Sequence, residues 1–218
     1  MDKTRVTIVR HGETEWNVTL QLQGHQDSGL TVLGKKQVAA TAEIIKDRSF
    51  DVLVSSDLKR AVKTAEVINQ YHHLELNLHE GLRERNFGIM EGLTRNQVME
   101  RYPETHDKYM RRDPDYLVPN GESLVQFYER IVNTIEEIGK QYQGKNILLV
   151  AHGGVLDCII RRVFDMELDA ARKYRLYNGS VNTIVLQNGM WIMEEWGVIS
   201  REAELKPKDE LATTEMGK

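Results

Sequence analysis

Cysteine, proline and long apolar runs are scarce in this sequence of 218 residues, which has four prolines and a single cysteine, Cys158. A lone cysteine cannot form an internal disulfide, and it excludes cysteine-based zinc and iron–sulfur sites. The longest apolar stretch, 147–160, is interrupted by polar residues such as His152 and Asp157 and is too short to span a bilayer. The first residues lack the apolar core of a secretory signal. We therefore expect a cytoplasmic protein without a membrane segment.

An excess of positive charge is missing as well, because 29 Lys and Arg residues face 33 Asp and Glu residues, a net charge of −4. A domain that binds nucleic acid is usually basic, so this balance argues against one. Hydrophobic residues make up 40% of the chain, which is too apolar for a disordered protein. An enzyme or binding protein remains, in which a local cluster of arginines would have to hold any anionic ligand.

The hydrophobic pattern predicts strands that alternate with helices. Runs of β-branched and apolar residues predict strands at 5–9, 51–55 and 146–151, and a hairpin of 181–186 and 190–196 around Asn188-Gly189. Apolar residues at helical spacing predict helices at 30–45, 57–70, 123–142 and from 152 to about 164. A capping box at Thr94 predicts a short helix that Pro103 ends.

Such alternation favours an α/β fold, in which one three-layer domain has a mostly parallel central sheet flanked by helices. The hairpin would add strands at one edge of that sheet. We predict a single domain over residues 1–200. From Arg201 the chain is polar and rich in charge, so we expect residues 201–218 to be a disordered tail.

Two predicted strands end in the same pattern, a histidine followed by a glycine. These are His11-Gly12 after the first strand and His152-Gly153 after the third. In open α/β sheets ligands bind outside the carboxyl ends of the strands, so both histidines should reach the same edge. A single histidine is most often a structural residue, but the repeated setting favours a site. A third segment, 55–61, places Arg60 in the first turn of a helix at the same edge.

Together, Arg10, His11, Arg60 and His152 predict a cationic pocket without metal ligands. Arginine offers paired donors to phosphate oxygens and stays charged at any working pH, so the pocket suits a phosphoryl dianion. Positive neighbours disfavour the cationic form of an imidazole. Each histidine should therefore be neutral, which is the form that can act as a nucleophile.

The motifs resemble those of the histidine phosphatase superfamily, in its phosphoglycerate mutase-like branch, and are closest in pattern to its broad-specificity phosphatases. Four motifs occur in the family's order, and the resemblance extends from about Thr4 to Asn188. They are Arg-His-Gly-Glu-Thr-Glu-Trp-Asn at 10–17, Ser-Asp-Leu-Lys-Arg-Ala at 56–61, Leu-Arg-Glu-Arg at 82–85 and Val-Ala-His-Gly-Gly at 150–154. The first of them is highly specific.

The resemblance implies that His11 is the nucleophile and becomes phosphohistidine. It implies that Arg10, Arg60 and His152 hold the phosphoryl oxygens through the transition state. Such a role agrees with the demands of phosphoryl transfer, which needs positioning and charge neutralisation.

Further roles also come from the resemblance. Asn17 and the backbone near Gly153 would add hydrogen bonds to the phosphate, and Gln23 and Gly24 would contact the leaving group. Glu84 would give its proton to the leaving oxygen and later activate water. Glu13 is the rival acid, but its motif context favours a role in bracing the pocket.

Phosphatases and mutases of this family share the phosphohistidine chemistry. In the family's mutases a longer insertion after the acid shields the phosphoenzyme from water, and here the stretch between Glu84 and the turn at 119–123 is short. On the other side, Arg111 and Arg112 resemble paired arginines that hold the carboxylate of phosphoglycerate. We predict a phosphatase of small phosphorylated metabolites that needs neither metal nor cofactor. A cofactor-dependent phosphoglycerate mutase is the alternative, and a non-catalytic phospho-ligand binder is the second; the oligomeric state is left open.

Two other patterns are candidates for binding sites. Residues 29–36 nearly spell a nucleotide-binding loop, but no Ser or Thr follows Lys35 to bind magnesium, so a helix start is the better interpretation. His72, His73 and His79 lack an acidic or cysteine partner at ligand spacing, so we predict no metal site there.

Overall fold

A six-stranded sheet forms the centre of the molecule, as seen in a computed structural model that describes residues 3–187 and 189–200. The strands are β1 (Thr4–Arg10), β2 (Val52–Ser55), β3 (Leu76–Leu78), β4 (Asn146–Ala151), β5 (Val181–Gln187) and β6 (Met190–Val198). Their order in the sheet is β3-β2-β4-β1-β5-β6. Strands β3, β2, β4 and β1 pair in parallel. Strands β5 and β6 form an antiparallel hairpin that pairs with β1 through β5. The fold is therefore a single α/β domain with a mostly parallel sheet, as predicted.

Helices cover both faces of the sheet. They are α1 (Glu15–Val18), α2 (Val32–Ile45), α3 (Lys59–Asn69), α4 (Arg95–Arg101), α5 (Pro103–Met110), α6 (Leu124–Gln141) and α7 (Gly153–Phe164), with short 3₁₀ turns at Glu80–Leu82 and Gly88–Met90. Alternate residues of β4 point to opposite faces. Leu149 packs in a cluster with α6 and α7, and Leu148 packs in a second cluster with α2 and α3. The three predicted layers are present.

The parallel register brings three strand ends to one edge. Arg10 lies opposite Ala151, and Ser55 lies opposite Val150. The residues that follow these ends, His11, Ser56 and His152, therefore emerge together. This is the edge of the sheet at which the sequence predicts the pocket.

Helix starts follow their capping signals. Thr31 accepts a hydrogen bond from the backbone of Gly34 at 2.8 Å at the start of α2. The segment 29–36 is therefore a helix start, and its reading as a nucleotide-binding loop is wrong. Thr94 caps α4 with the predicted capping box.

Three elements were not predicted. Strand β3 and helix α1 have three and four residues, which is too short for a hydrophobic period to reveal. Pro103 does follow the end of α4, but it also occupies the first turn of α5, where its missing N–H costs nothing. The predicted tail, 201–218, lies outside the described residues.

Among the described residues, no helix is long and apolar enough to cross a membrane. Within the same ranges, no three His, Cys, Asp or Glu side chains come together in a way that could hold a metal ion. Cys158 is buried, and burial raises the pKa of its thiol well above the usual value. It is a core residue, as expected from its apolar helix.

Candidate active site

The main chain on both sides of His11 is tied to neighbouring segments. Its N–H donates to the carbonyl of Ala151 at 3.0 Å, and its own carbonyl accepts from Asn178 Nδ2 at 3.0 Å. The ring is buried, and Nδ1 lies 2.8 Å from the carbonyl of Gly12. Because a carbonyl oxygen only accepts, Nδ1 carries the hydrogen. The neutral ring therefore has its lone pair on Nε2.

The ring of His152 lies beside that of His11, with 5.3 Å between the two ring centroids. Its Nε2 is 2.8 Å from Ser56 Oγ. Its Nδ1 is buried and has no hydrogen-bond partner among the described residues. A buried polar nitrogen without a partner is costly, so this atom is suited to contact a polar ligand.

Burial and positive charge favour the neutral form of both imidazoles. Burial lowers the pKa of His11 well below its usual value, and the charges of Arg60 and Arg10 lower it further. Burial also lowers the pKa of His152, followed by the charges of Arg60, His11 and Arg10. The sequence predicted the effect of the arginines, while burial, the larger cause, follows from the sheet and the helices that cover it.

Arg60 is buried and held by the loop that precedes α2. Its guanidinium donates to the carbonyls of Gly24 at 2.8 Å and Gln26 at 2.7 Å, and it forms a salt bridge with Asp27 at 2.9 Å. Asp27 also accepts from the first backbone N–H groups of α3. Arg60 Nε is buried without a partner among the described residues, so it remains available to an anion.

The segment predicted to contact the leaving group thus supports Arg60. Gly24 has a φ of 54°, and a Cβ there would lie 2.0 Å from Glu91 Oε1, so only glycine fits. Gln23 is buried and accepts from Ser28 Oγ at 3.1 Å.

Arg10 packs against the first turn of α7. A Cβ on Gly153 would lie 3.1 Å from Arg10 Nε, so the missing side chain leaves room for the guanidinium. Arg10 Nη1 donates to the carbonyl of Leu176. The two motifs that carry the histidines are therefore in direct contact.

Asn17 and Glu13 are both bound by threonine side chains in the segments near His11. Asn17 Oδ1 accepts from Thr14 N and Oγ1, each at 3.0 Å, and completes the capping box of α1. Its Nδ2 is the group that could meet a phosphate. Glu13 is buried and accepts from the hydroxyl of Thr31 at 2.7 Å. These contacts agree with the bracing role expected for Glu13.

Glu84 reaches the N-terminus of α7. Its carboxylate accepts from the backbone of Gly154 at 2.9 Å and of Arg85 at 2.9 Å. A Cβ on Gly154 would lie 2.0 Å from Glu84 Oε1. The consecutive residues His152, Gly153 and Gly154 thus touch Ser56, Arg10 and Glu84 in turn, which brings the candidate acid into the same site.

Arg111 and Arg112 differ in placement. Arg111 is exposed at the end of α5. Arg112 is half-buried, donates to the carbonyl of Leu168 at 3.0 Å, and lies 3.9 Å from Asp157 on α7. Of the two arginines, Arg112 is the one that lies beside α7.

Sequence reasoning missed several residues that build this site. Ser56 stands inside a quoted motif, but its bond to His152 could not be read from spacing. Asn178 and Asp27 act across 167 and 33 positions of the chain. No local pattern signals contacts of that range.

A sequence model of the histidine phosphatase superfamily (branch 1) matches residues 6–199. The chain belongs to this superfamily. The match spans the strand ends, the pocket and the hairpin described above.

Histidine phosphatases with both phosphatase and mutase names are similar to this chain. PhoE of Bacillus subtilis (strain 168), an uncharacterized phosphatase, is 33% identical over 199 residues, covering 90% of this chain and 96% of that protein. The metal-independent phosphoserine phosphatase of Arabidopsis thaliana is 36% identical over 200 residues, covering 90% and 82%. GpmB of Shigella boydii serotype 18, a probable phosphoglycerate mutase, is 31% identical over 212 residues, covering 97% and 98%.

Solved structures of histidine phosphatases share the fold. YhfR of Bacillus stearothermophilus superposes with a TM-score of 0.86 at 27% identity, covering 92% of this chain and 100% of that one. Phosphoserine phosphatase from Entamoeba histolytica, in complex with 3-phosphoglyceric acid, gives a TM-score of 0.80 at 28% identity, covering 92% and 99%. The predicted phosphoglycerate mutase-like architecture is confirmed.

Proposed function

We propose that this histidine phosphatase hydrolyses small phosphomonoesters through a phosphohistidine on His11, without a metal. The observation that carries the proposal is the ring of His11. Its Nδ1 is committed to Gly12, and its low pKa leaves Nε2 unprotonated in a buried cationic pocket. A neutral, oriented imidazole is an activated nucleophile.

Charge on the phosphoryl group would be balanced by Arg10 and Arg60. Ser56 Oγ accepts from the backbone of Leu58 at 3.4 Å, and we assign its hydroxyl hydrogen to the bond with His152 Nε2. The hydrogen of the neutral His152 ring then lies on Nδ1, the atom without a protein partner. This N–H, the amide of Asn17 and the backbone at the start of α7 would donate to the phosphoryl oxygens.

The reaction would proceed in two steps. In the first, His11 Nε2 forms a bond to phosphorus, the bond to the ester oxygen breaks, and that oxygen takes a proton from Glu84. In the second, the carboxylate of Glu84 takes a proton from water, whose oxygen displaces His11 and releases phosphate. One carboxyl group thus acts first as acid and then as base.

The test is to trap the intermediate. Enzyme mixed with ³²P-labelled phosphomonoester in EDTA and quenched rapidly should carry an acid-labile, base-stable label on residue 11. We expect His11→Ala to lose both the label and turnover. The absence of label and of turnover would instead favour a non-catalytic binder.

A mutase is the second candidate, and Arg112 favours a substrate that carries a carboxylate. Its guanidinium is half-buried beside Asp157 of α7, and both phosphoserine and phosphoglycerate carry a carboxylate. The ratio of two rates separates the candidates. If phosphate is released from either compound faster than 3- and 2-phosphoglycerate interconvert, the phosphatase is supported. If the interconversion is faster, the mutase is supported.

A further inference from the structure

A salt bridge outside the phosphate pocket lies against the segment that carries Glu84. Arg130, two turns into α6, donates two hydrogen bonds to the carboxylate of Glu122. The distances are 2.7 Å from Nε to Oε1 and 2.8 Å from Nη2 to Oε2. Both side chains are about four-fifths buried, with 24% and 19% exposed. A paired guanidinium and carboxylate of this geometry is rigid.

The remaining donor capacity of Arg130 goes to the main chain on one side of Glu84. Nη1 donates to the carbonyls of Gly81 at 2.9 Å and Arg83 at 3.0 Å, and Nη2 donates to the carbonyl of Glu84 itself at 3.2 Å. One side chain therefore joins three carbonyls of the segment.

Glu122 binds the other side of Glu84. Its Oε2 accepts from the backbone of Asn86 at 2.8 Å, and its carbonyl accepts from Arg85 Nε at 3.2 Å and Nη2 at 3.0 Å. Arg130 and Glu122 thus bind main-chain atoms on both sides of Glu84.

Other side chains bind the same segment, since His25 Nε2 lies 3.0 Å from the carbonyl of Glu84 and Arg83 forms a salt bridge with Asp57. Residues 83–87 belong to neither a helix nor a strand, so no regular ladder of hydrogen bonds fixes their carbonyls. Charged donors and acceptors are the strong hydrogen-bond partners available to such a backbone.

We propose that Glu122 and Arg130 are a positioning pair that holds the carboxylate of Glu84 against the N-terminus of α7. The proposal rests on the proposed function, in which Glu84 is the acid. Neither residue touches the substrate. A misplacement of 1 Å in a reacting group can cost about 10²-fold in rate, so the position of the segment controls proton transfer.

The experiment compares two substrates that differ in their need for a proton. Phenyl phosphate has a poor leaving group, whereas p-nitrophenolate leaves almost without protonation. We expect Arg130→Gln and Glu122→Gln to lower kcat/KM for phenyl phosphate about tenfold more than for p-nitrophenyl phosphate. A merely structural defect would lower both equally.

Arg48→Gln is the matched control. Arg48 also binds a glutamate with two hydrogen bonds, from Nη1 and Nη2 to Glu195 at 2.7 and 3.0 Å, and it follows the far end of α2. Its loss should leave the ratio of the two rates unchanged. If Arg130→Gln does not fold, Arg130→Lys, which keeps the charge and loses the fork, replaces it.

A double-variant cycle separates this proposal from the proposed function. Adding Arg130→Gln to Glu84→Gln should not change the substrate ratio further, since both act through the same proton. An equal loss on both substrates from Arg130→Gln, or a ratio that multiplies in the double variant, would overturn the positioning role. If Glu84→Gln itself leaves the ratio unchanged, the acid role of Glu84 fails instead.

Discussion

In each buried histidine of the pocket, one ring nitrogen is hydrogen-bonded to the protein, and that bond sets whether the other nitrogen carries a lone pair or a hydrogen. His11 Nδ1 is bound to a carbonyl, which leaves a lone pair on Nε2. His152 Nε2 is bound to a hydroxyl, which leaves an N–H on Nδ1 in the tautomer assigned above. The same residue type thus supplies an electron pair in one place and a hydrogen-bond donor in the other. The protein group that binds one ring nitrogen decides which of these two roles the other nitrogen takes.

Arg60 is the residue whose loss should remove most of the stabilisation of charge in the transition state. Because it meets developing charge in the transition state, we expect Arg60→Ala to lower kcat by about 10² or more. Lys59→Ala is the control, since Lys59 is the exposed neighbour on the same helix. Steady-state kinetics measure both. A change under about threefold in Arg60→Ala would remove this guanidinium from the reaction.

The first turn of α7 is the element on which the site depends. It carries two glycines in contact with functional side chains, Arg10 at Gly153 and Glu84 at Gly154. Larger residues at either position would displace those side chains. The need for small residues here is therefore a packing requirement imposed by the neighbours.

A single methyl group at this helix start should separate stability from activity. We expect Gly154→Ala to displace Glu84, because the new Cβ would lie 2.0 Å from Oε1, and so to slow phenyl phosphate hydrolysis more than p-nitrophenyl phosphate hydrolysis. Helix propensity should offset part of any loss in stability, by up to about 1 kcal/mol. Rates on both substrates and thermal unfolding measure the two effects.

Gly29→Ala is the matched control for that variant. Nothing lies within 4 Å of a Cβ at Gly29, so the added methyl group meets open space. Its rates on both substrates should equal those of the parent protein. Unchanged leaving-group dependence in Gly154→Ala would contradict the contact between Gly154 and Glu84.

The elements that the sequence revealed are those whose signal is local. Apolar runs followed by His-Gly predicted the ends of β1 and β4, and the capping box at Thr94 marked the start of α4. The arginine and histidine pocket followed from the parallel sheet. The support of Glu84 could not be predicted, because Arg130 reaches it across 46 positions of the chain. Contacts of that range depend on how α6 packs, which no sequence window contains.

For the whole molecule, the two neutral histidines couple folding to pH. Their pKa values are lowered in the folded state by burial and by nearby arginines, whereas the unfolded chain binds protons below about pH 6.5. Stability from each is therefore fully present above that pH and is lost as the pH falls towards the folded pKa. The slope is up to about 1.4 kcal/mol per pH unit for each histidine.

Replacing one of these rings should flatten that dependence. We expect His152→Asn to reduce the slope of the free energy of unfolding against pH by up to about 1.4 kcal/mol per unit between about pH 5 and 6.5. Urea unfolding at a series of pH values measures it. His73→Asn controls for the loss of an exposed imidazole. Parallel curves for His152→Asn and the parent protein would show that His152 does not contribute.

Strand β1, which presents His11, is synthesised well before its two neighbours in the sheet. Strand β1 lies between β4 and β5, which begin at Asn146 and Val181. Pairings between such distant segments form slowly, and here they also wait for the ribosome. Until these strands have paired, the imidazole of His11 is not buried in the sheet. The burial that lowers the pKa of this imidazole therefore requires that β4 and β5 have been synthesised and paired with β1.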